Sequence, residues 1–248
     1  MRFRVIQLEE RPAALNMGID EAVMEAVHSS ESLPTIRFYM WQPSAVTIGR
    51  FQSMGIEVNV EMCKELGIDC VRRITGGGAV YHDSKGEITY SIIAPESYFP
   101  KGIRESYREI CAKVVAGLSN LGISSEFVPI NDIIVSGRKI SGNAQTRKGG
   151  ILLQHGTVLY DLNIERMFSV LKISKEKISD KMIKSVEERV TSVKRNVDVP
   201  IEDFYRALLK GFTSGIDYEL GTLSEKETER ASELARTVYG TSEWNFSR

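Results

Sequence analysis

A mixed α+β fold is what this sequence of 248 residues predicts. Strand-like and helix-like segments interleave without a regular β-α-β period, which argues against a doubly wound parallel sheet. Residues 131–161, "NDIIVSGRKISGNAQTRKGGILLQHGTVLYD", read as a strand meander with turns at "SGR" and "RKGG". The length and a hydrophobic content of 42% suffice for a sizeable core.

Each element has its own local warrant. "FRVIQLE" alternates and reads as a strand. "NMGIDEAVMEAVHSS" follows as a helix, with Ile19, Val23 and Ala26 at helical spacing and Asn16 as the expected cap. "TIRFYMW" and "SAVTIG" are β-rich runs split by a turn at "QPS". "NVEMCKELGI" is a short helix with Asn59 as N-cap and Gly67 as stop. "CVRRI", "AVYHD" and "EITYSIIA" read as three strands around a run of glycines. Residues 103–121 form an amphipathic helix whose apolar face carries Ile103, Tyr107, Ile110, Val114, Leu118 and Leu121. After the meander come a short helix at 163–171, a charged stretch at 172–195 read as a solvated helix and loop, and helices at 201–213 and 223–238.

Bulk properties exclude several function classes. The formal net charge of −1 provides no global basic field for nucleic acid or an anionic membrane. No apolar run approaches the about 20 residues of a membrane-spanning helix, and "MRFRVIQLEERP" lacks the apolar core of a signal peptide. Cys63, Cys70 and Cys111 are odd in number and show no CxxC spacing, so a reduced, cytoplasmic setting is expected rather than a disulfide framework or zinc site. His28, His82 and His155 are not at metal spacing, and no GxSxG nucleophile motif is present.

Two segments carry chemistry. "RRITGGGAVYHD" (72–83) is neither a P-loop nor a dinucleotide fingerprint, because it lacks GxxxxGK[ST] and no helix pattern follows it. A glycine turn between two strands is its simplest reading. Arg72 and Arg73 point to opposite faces of a strand, so only one of them need be functional. A guanidinium beside bare backbone suits a carboxylate or phosphate. In "GRKISGNAQTRKGG", Lys139 lies in a strand-like run and can set an ammonium between oxygen-rich groups, stabilising charge in acyl or phosphoryl transfer. Asn131 and Asp132 open that region, where Asp132 either holds Mg²⁺ on phosphates or caps a turn. A strand histidine such as His82 or His155 is, taken singly, more often a hydrogen-bonded core residue than a catalyst.

Together these segments resemble the lipoate–protein ligases, a branch of the biotin/lipoate ligase superfamily. "RRITGGGAVYHD" looks like the family's RRxxGGGAV(F/Y)HD signature, the 131–161 block looks like its second motif, and "EWNF" near the end resembles the segment that closes its catalytic domain. The resemblance spans nearly the whole chain and implies one catalytic domain over 1–248, without the family's small C-terminal accessory domain. It also implies mixed, largely antiparallel sheets flanked by helices, in the class II synthetase-like fold. The implied reaction activates lipoate with ATP and Mg²⁺ to lipoyl-adenylate, then acylates the ε-amine of a lysine on a lipoyl carrier domain. Such carriers are the E2 subunits of 2-oxoacid dehydrogenases and the glycine cleavage H protein. The missing domain implies a separate accessory polypeptide.

By match to the motifs, Arg73, Gly78, Ala79, Val80, Tyr81, Asn131 and Asp132 are expected at the nucleotide. Arg72, Gly77, His82, Ala144 and His155 are expected at the lipoate end, and Lys139 is expected at both, as the electrostatic catalyst. Sister enzymes that transfer octanoyl or lipoyl groups between carriers without ATP need a cysteine nucleophile. One sister group places it just upstream of the Asn-Asp pair, where this chain has "SSEFVPINDI"; another places it at the position of Leu152. Neither position is a cysteine, which favours the ATP-dependent ligase. A degenerate fold that only binds lipoyl domains or nucleotide is disfavoured because both motifs are intact. A biotin ligase is disfavoured because its GRGRxxR-type loop is not seen.

Overall fold

The structure, a computed structural model, describes residues 2–172 and 188–248. Its larger sheet has eight strands, in the order β11 (Asp217–Gly221), β1 (Arg2–Arg11), β2 (Thr35–Trp41), β6 (Glu87–Pro95), β10 (Ile151–Leu159), β9 (Arg138–Lys148), β8 (Asp132–Val135) and β7 (Glu126–Val128). A smaller sheet has the order β4 (Asp69–Arg72), β3 (Ala45–Ile48), β5 (Val80–His82). Among these strands β1–β11, β1–β2 and β3–β4 pair in parallel and the other pairs are antiparallel. The mixed, largely antiparallel α+β fold is therefore present.

The larger sheet is covered on both faces, so β2 is buried along its whole length and β6 and β10 along most of theirs. In β2 the alternation sends Ile36, Phe38 and Met40 to one core, under α4 (Ile103–Ser119) and α6 (Ile201–Thr213), and Tyr39 and Trp41 to the other, under α1 (Ala13–His28) and α7 (Glu225–Leu234). Val46, Ile48 and Tyr81 of the smaller sheet share a third cluster with Met54 of α2 (Met54–Glu57), Cys63 of α3 (Val60–Glu65) and Val170 of α5 (Ile164–Val170). Helices α4 and α6 approach closely because Gly117 and Gly211 carry no side chains where they meet: a β-carbon on Gly211 would lie 2.4 Å from the Gly117 nitrogen.

Local signals predict much of this order. Asn59 caps α3 by accepting from the Met62 amide, and Gly67, at φ +64, follows the helix end. The turns at Ser136-Gly137 and Gly149-Gly150 use left-handed backbone. Four expectations are corrected. Helix α1 starts at Ala13, after Pro12 at φ −61; Asn16 is wholly buried inside it and donates to the carbonyls of Arg11 and Met40. On α4, Tyr107, Ile110, Val114 and Leu118 are buried, whereas Ile103 is exposed at the first turn and Leu121 lies beyond the helix end. The helix expected at 223–238 ends as α7 at Leu234 and widens into a π-helical turn over Ala235–Tyr239. Finally, β4 and β5 do not pair: β3 lies between them, so the glycine run is a crossing connection and not a hairpin turn. The charged stretch at 172–195 falls largely on 173–187, outside the described residues. Strands β7 and β11 were not expected; both are short edge strands with few buried side chains, which leaves little apolar pattern.

Candidate active site

A cavity of about 330 Å³ is lined by residues of both sheets. Strands β9 and β10 contribute Gly142, Ala144, His155 and Gly156, the smaller sheet contributes Thr47, Val80, Tyr81 and His82, and the 73–79 connection contributes Arg73, Gly77, Gly78 and Ala79. Trp41 and Tyr39 of β2 and Met17 of α1 add apolar surface, and Trp41 stacks on the His82 ring at 4.1 Å. Leu162, Met167, Leu171 and Val190 complete an apolar wall.

Among the described residues Arg73 is the cation of this cavity's interior. It is buried, and its guanidinium binds neutral oxygens only: Thr75 Oγ1 (3.3 Å), Thr47 Oγ1 (2.6 Å) and the carbonyls of Gly76 and Gly78 (3.0 Å each). Among the described residues no carboxylate pairs with it. Burial lowers its pKa to about 10, so it still carries its proton near neutrality. The glycine connection thus wraps around a guanidinium. Gly77, at φ +97, has the one backbone in the run that other residues resist.

Lys139 approaches from β9. Between Ile133 and Ile134 of β8 the register to β9 shifts, so that Ile134 faces Lys139 while Ile133 faces Ser141. This bulge leaves Ile140 unpaired in the core, with Lys139 free to reach the cavity. The lysine backbone is clamped on the other side: its N–H donates to the Arg189 carbonyl and its carbonyl accepts from the Thr191 N–H, both at 2.8 Å. Its side chain lies across Gly142, where a β-carbon would stand 3.0 Å from both Cε and Nζ. Nζ reaches Asp132 Oδ1 at 2.6 Å, with the lysine side chain 43% exposed at the cavity rim.

The expected site residues therefore divide. Arg73, Gly77, Gly78, Ala79, Val80, Tyr81, His82, Asn131, Lys139, Ala144 and His155 all line the cavity. Asp132 does not line it, but holds the Lys139 ammonium. Arg72 does not line it either, and its placement at the acyl end is corrected. Its wholly buried guanidinium points away and donates to the carbonyls of Gly49, Arg50, Gln52, Trp244 and Asn245. It locks β4 to the 49–52 loop and to α8 (Ser242–Asn245), whose "EWN" is the segment expected to close the domain. Among the described residues no three ligating side chains converge on a metal position, and Asp132 is already ion-paired. The protein groups alone do not make a Mg²⁺ site.

Pattern reading missed Thr47, Thr75, Asp20 and Glu87. Asp20 Oδ2 lies 3.2 Å from His155 Nδ1, and Glu87 Oε1 lies 2.6 Å from His82 Nδ1. The available signal was a polar residue set in an apolar face: Thr47 in "SAVTIG", Asp20 between Ile19 and Val23.

None of the three cysteines lines the cavity. Cys111 lies on the buried face of α4 in the core, where burial pushes its thiol up to about 12. Cys63 and Cys70 hydrogen-bond each other in the cluster behind the smaller sheet, which pushes the Cys70 thiol up.

Proteins of known family resemble this chain along nearly its whole length. The octanoyltransferase LipM of Brevibacillus brevis is 35% identical, over 100% of this chain and 99% of its own. A chain from an archaeal lipoylation system, a bi-partite lipoate protein ligase and its E2 lipoyl domain from Thermoplasma acidophilum, superposes with a TM-score of 0.88. It is 34% identical and covers 99% of this chain and 96% of its own. A lipoate-protein ligase A bound with ATP superposes with a TM-score of 0.85 at 32% identity, covering 99% of each chain. Residues 12–213 match the lipoyl protein ligase A/B catalytic domain, and the chain belongs to that family.

Proposed function

We propose that this enzyme activates lipoate with ATP and transfers the lipoyl group to a lysine of a carrier domain. One observation carries the reading: among the described residues the cavity presents two cations, Arg73 and Lys139, and no cysteine. A transferase that works without ATP needs a thiol to hold the acyl group between donor and acceptor. A ligase needs anion stabilisation and positioning, which the lining supports.

In this reading the lipoate carboxylate attacks the α-phosphorus of ATP and pyrophosphate leaves. Arg73 faces the phosphates and Lys139 bridges the acyl oxygen and the phosphate, stabilising charge as the mixed anhydride forms. The acceptor ε-amine then attacks the acyl carbonyl, the amide forms with loss of a proton, and AMP leaves. The apolar wall holds the acyl chain. Asp132, which holds the Lys139 ammonium, is the residue that would meet a Mg²⁺ carried by the nucleotide, and the ion would neutralise phosphate charge there. Residues 1–248 act as the catalytic unit, and by analogy with the bi-partite ligase of Thermoplasma acidophilum a separate polypeptide assists adenylate formation. The acceptors are lipoyl domains of E2 subunits and the glycine cleavage H protein.

The curated relatives favour a second reading, because the similar full-length proteins are named octanoyltransferases. In that case the chain moves octanoyl groups between carrier proteins without ATP. One experiment separates the two. The protein is incubated with a lipoyl domain and either ATP plus lipoate or an octanoyl carrier protein, with and without an accessory protein, and the products are weighed. The ligase reading expects a mass increase that requires ATP. Transfer without ATP, abolished by a cysteine alkylator, would overturn it.

A further inference from the structure

Two of the neutral oxygens around Arg73 belong to threonines that each begin a separate branch of hydrogen bonds. On the first, Arg73 Nη1 donates to Thr47 Oγ1 (2.6 Å), Thr47 Oγ1 lies 2.9 Å from His82 Nε2, and His82 Nδ1 lies 2.6 Å from Glu87 Oε1. On the second, Arg73 Nε donates to Thr75 Oγ1 (3.3 Å), Thr75 Oγ1 lies 2.8 Å from His155 Nε2, and His155 Nδ1 lies 3.2 Å from Asp20 Oδ2. Both branches run in the same order: arginine, threonine, histidine, carboxylate.

For neutral imidazoles that order assigns every proton. A carboxylate only accepts, so Nδ1 of a neutral ring donates to it and Nε2 is left as an acceptor. The threonine hydroxyl donates to Nε2 and turns its lone pairs toward Arg73. With Nη2 on the carbonyls of Gly76 and Gly78, four of about five guanidinium N–H groups are held, leaving one on Nη1. The branches differ in charge. Asp20 is neutralised by Arg37 at 3.1 Å, whereas Glu87, 1% exposed, has no lysine or arginine beside it among the described residues and meets the His82 imidazole instead. Arg73 and Glu87 are thus opposite buried charges joined through Thr47 and His82.

We propose that Asp20 and Glu87 are positioning residues that act through His155–Thr75 and His82–Thr47 to fix the Arg73 guanidinium for a phosphate anion. The phosphate rests on the ligase reading above; the relay itself does not. In the relay the histidines orient threonines and need not touch substrate.

Two measurements test this. Nitrogen NMR of the imidazoles in the free protein expects both His82 and His155 in the Nδ1–H form. An Nε2–H ring at either position overturns that branch, whatever the substrate proves to be. Separately, ATP affinity is measured for Thr47→Val and Thr75→Val, which remove the hydroxyl at equal volume, and for Thr47→Ser and Thr75→Ser, which keep it. Each valine variant is expected to bind ATP about tenfold more weakly, with the acceptor KM unchanged and the serine variant restoring affinity. Valine variants that melt like the parent and bind ATP equally well overturn the positioning role. A parent that binds no ATP overturns the ligase reading, and the imidazole spectra still decide the relay.

Discussion

Lys139 owes its position to its neighbours more than to itself: a bulge in β9, a glycine under its stem, and a backbone clamp from Arg189 and Thr191. Its half-exposed side chain contributes little to the fold. In the ligase reading, Lys139→Ala is therefore expected to lower adenylate formation by roughly a hundredfold or more, with an unchanged melting temperature. Pyrophosphate release and thermal melting check the two halves. His155 yields a pH prediction. Burial is the first cause holding its pKa below the ordinary 6.5, opposed by the Asp20 carboxylate, so the folded protein resists protonation that the unfolded chain accepts. Stability is retained above pH 6.5 and lost as pH falls from there toward the lowered value. The loss approaches about 1.4 kcal/mol per pH unit within that window. Denaturant titrations of the parent and His155→Gln across pH 5 to 7 (roughly the imidazole range) are expected to show the slope flattened in the variant.

At the scale of elements, interlocking contacts outweigh propensity. Alanine is a better helix former than glycine, yet Gly211→Ala would drive a methyl group into the Gly117 backbone. The expected result is a destabilisation of about 2 kcal/mol or more by overpacking, read from urea unfolding. Helices α1, α3, α4 and α6 were legible because their apolar spacing or cap is local. Strand β11 was not, since "DYELG" acquires strand character only by pairing with β1. The Asn16 cap failed for a related reason: inside the fold its amide is worth more bridging Arg11 and Met40 than capping a helix that Pro12 already starts.

Across the whole molecule, the chain ends are tied together by Arg4 of β1 and Glu227 of α7. They form a buried two-pronged ion pair at 2.7 Å, reinforced by a capping box at Ser224. Glu227→Ala leaves the guanidinium buried without its carboxylate and is expected to cost about 3 kcal/mol, measurable as a lower midpoint in guanidinium chloride. The cysteines supply the complementary global test. With Cys63 and Cys111 buried and none of the three on the cavity, the triple alanine variant is expected to keep ATP-dependent ligation while losing about 1 kcal/mol of stability per buried site. Loss of turnover in a folded triple variant would return the transferase reading to favour.

The sequence by itself determined the family, the mixed fold and the two segments that build the cavity, because contiguous motifs and local periodicity survive in one dimension. It also separated Arg72 from Arg73 as residues of opposite strand faces. Only the tertiary structure decided which of the two faces the cavity, since that depends on β3 lying between β4 and β5. It likewise decided that the glycine run crosses between strands, and that two threonines and two carboxylates from α1, β3, the 73–79 connection and β6 stand behind Arg73. Those residues lie up to 67 positions apart in sequence, from Asp20 to Glu87. Hydrogen bonds of about 3 Å are fixed by the packing of sheets and helices, and no local pattern encodes such distances.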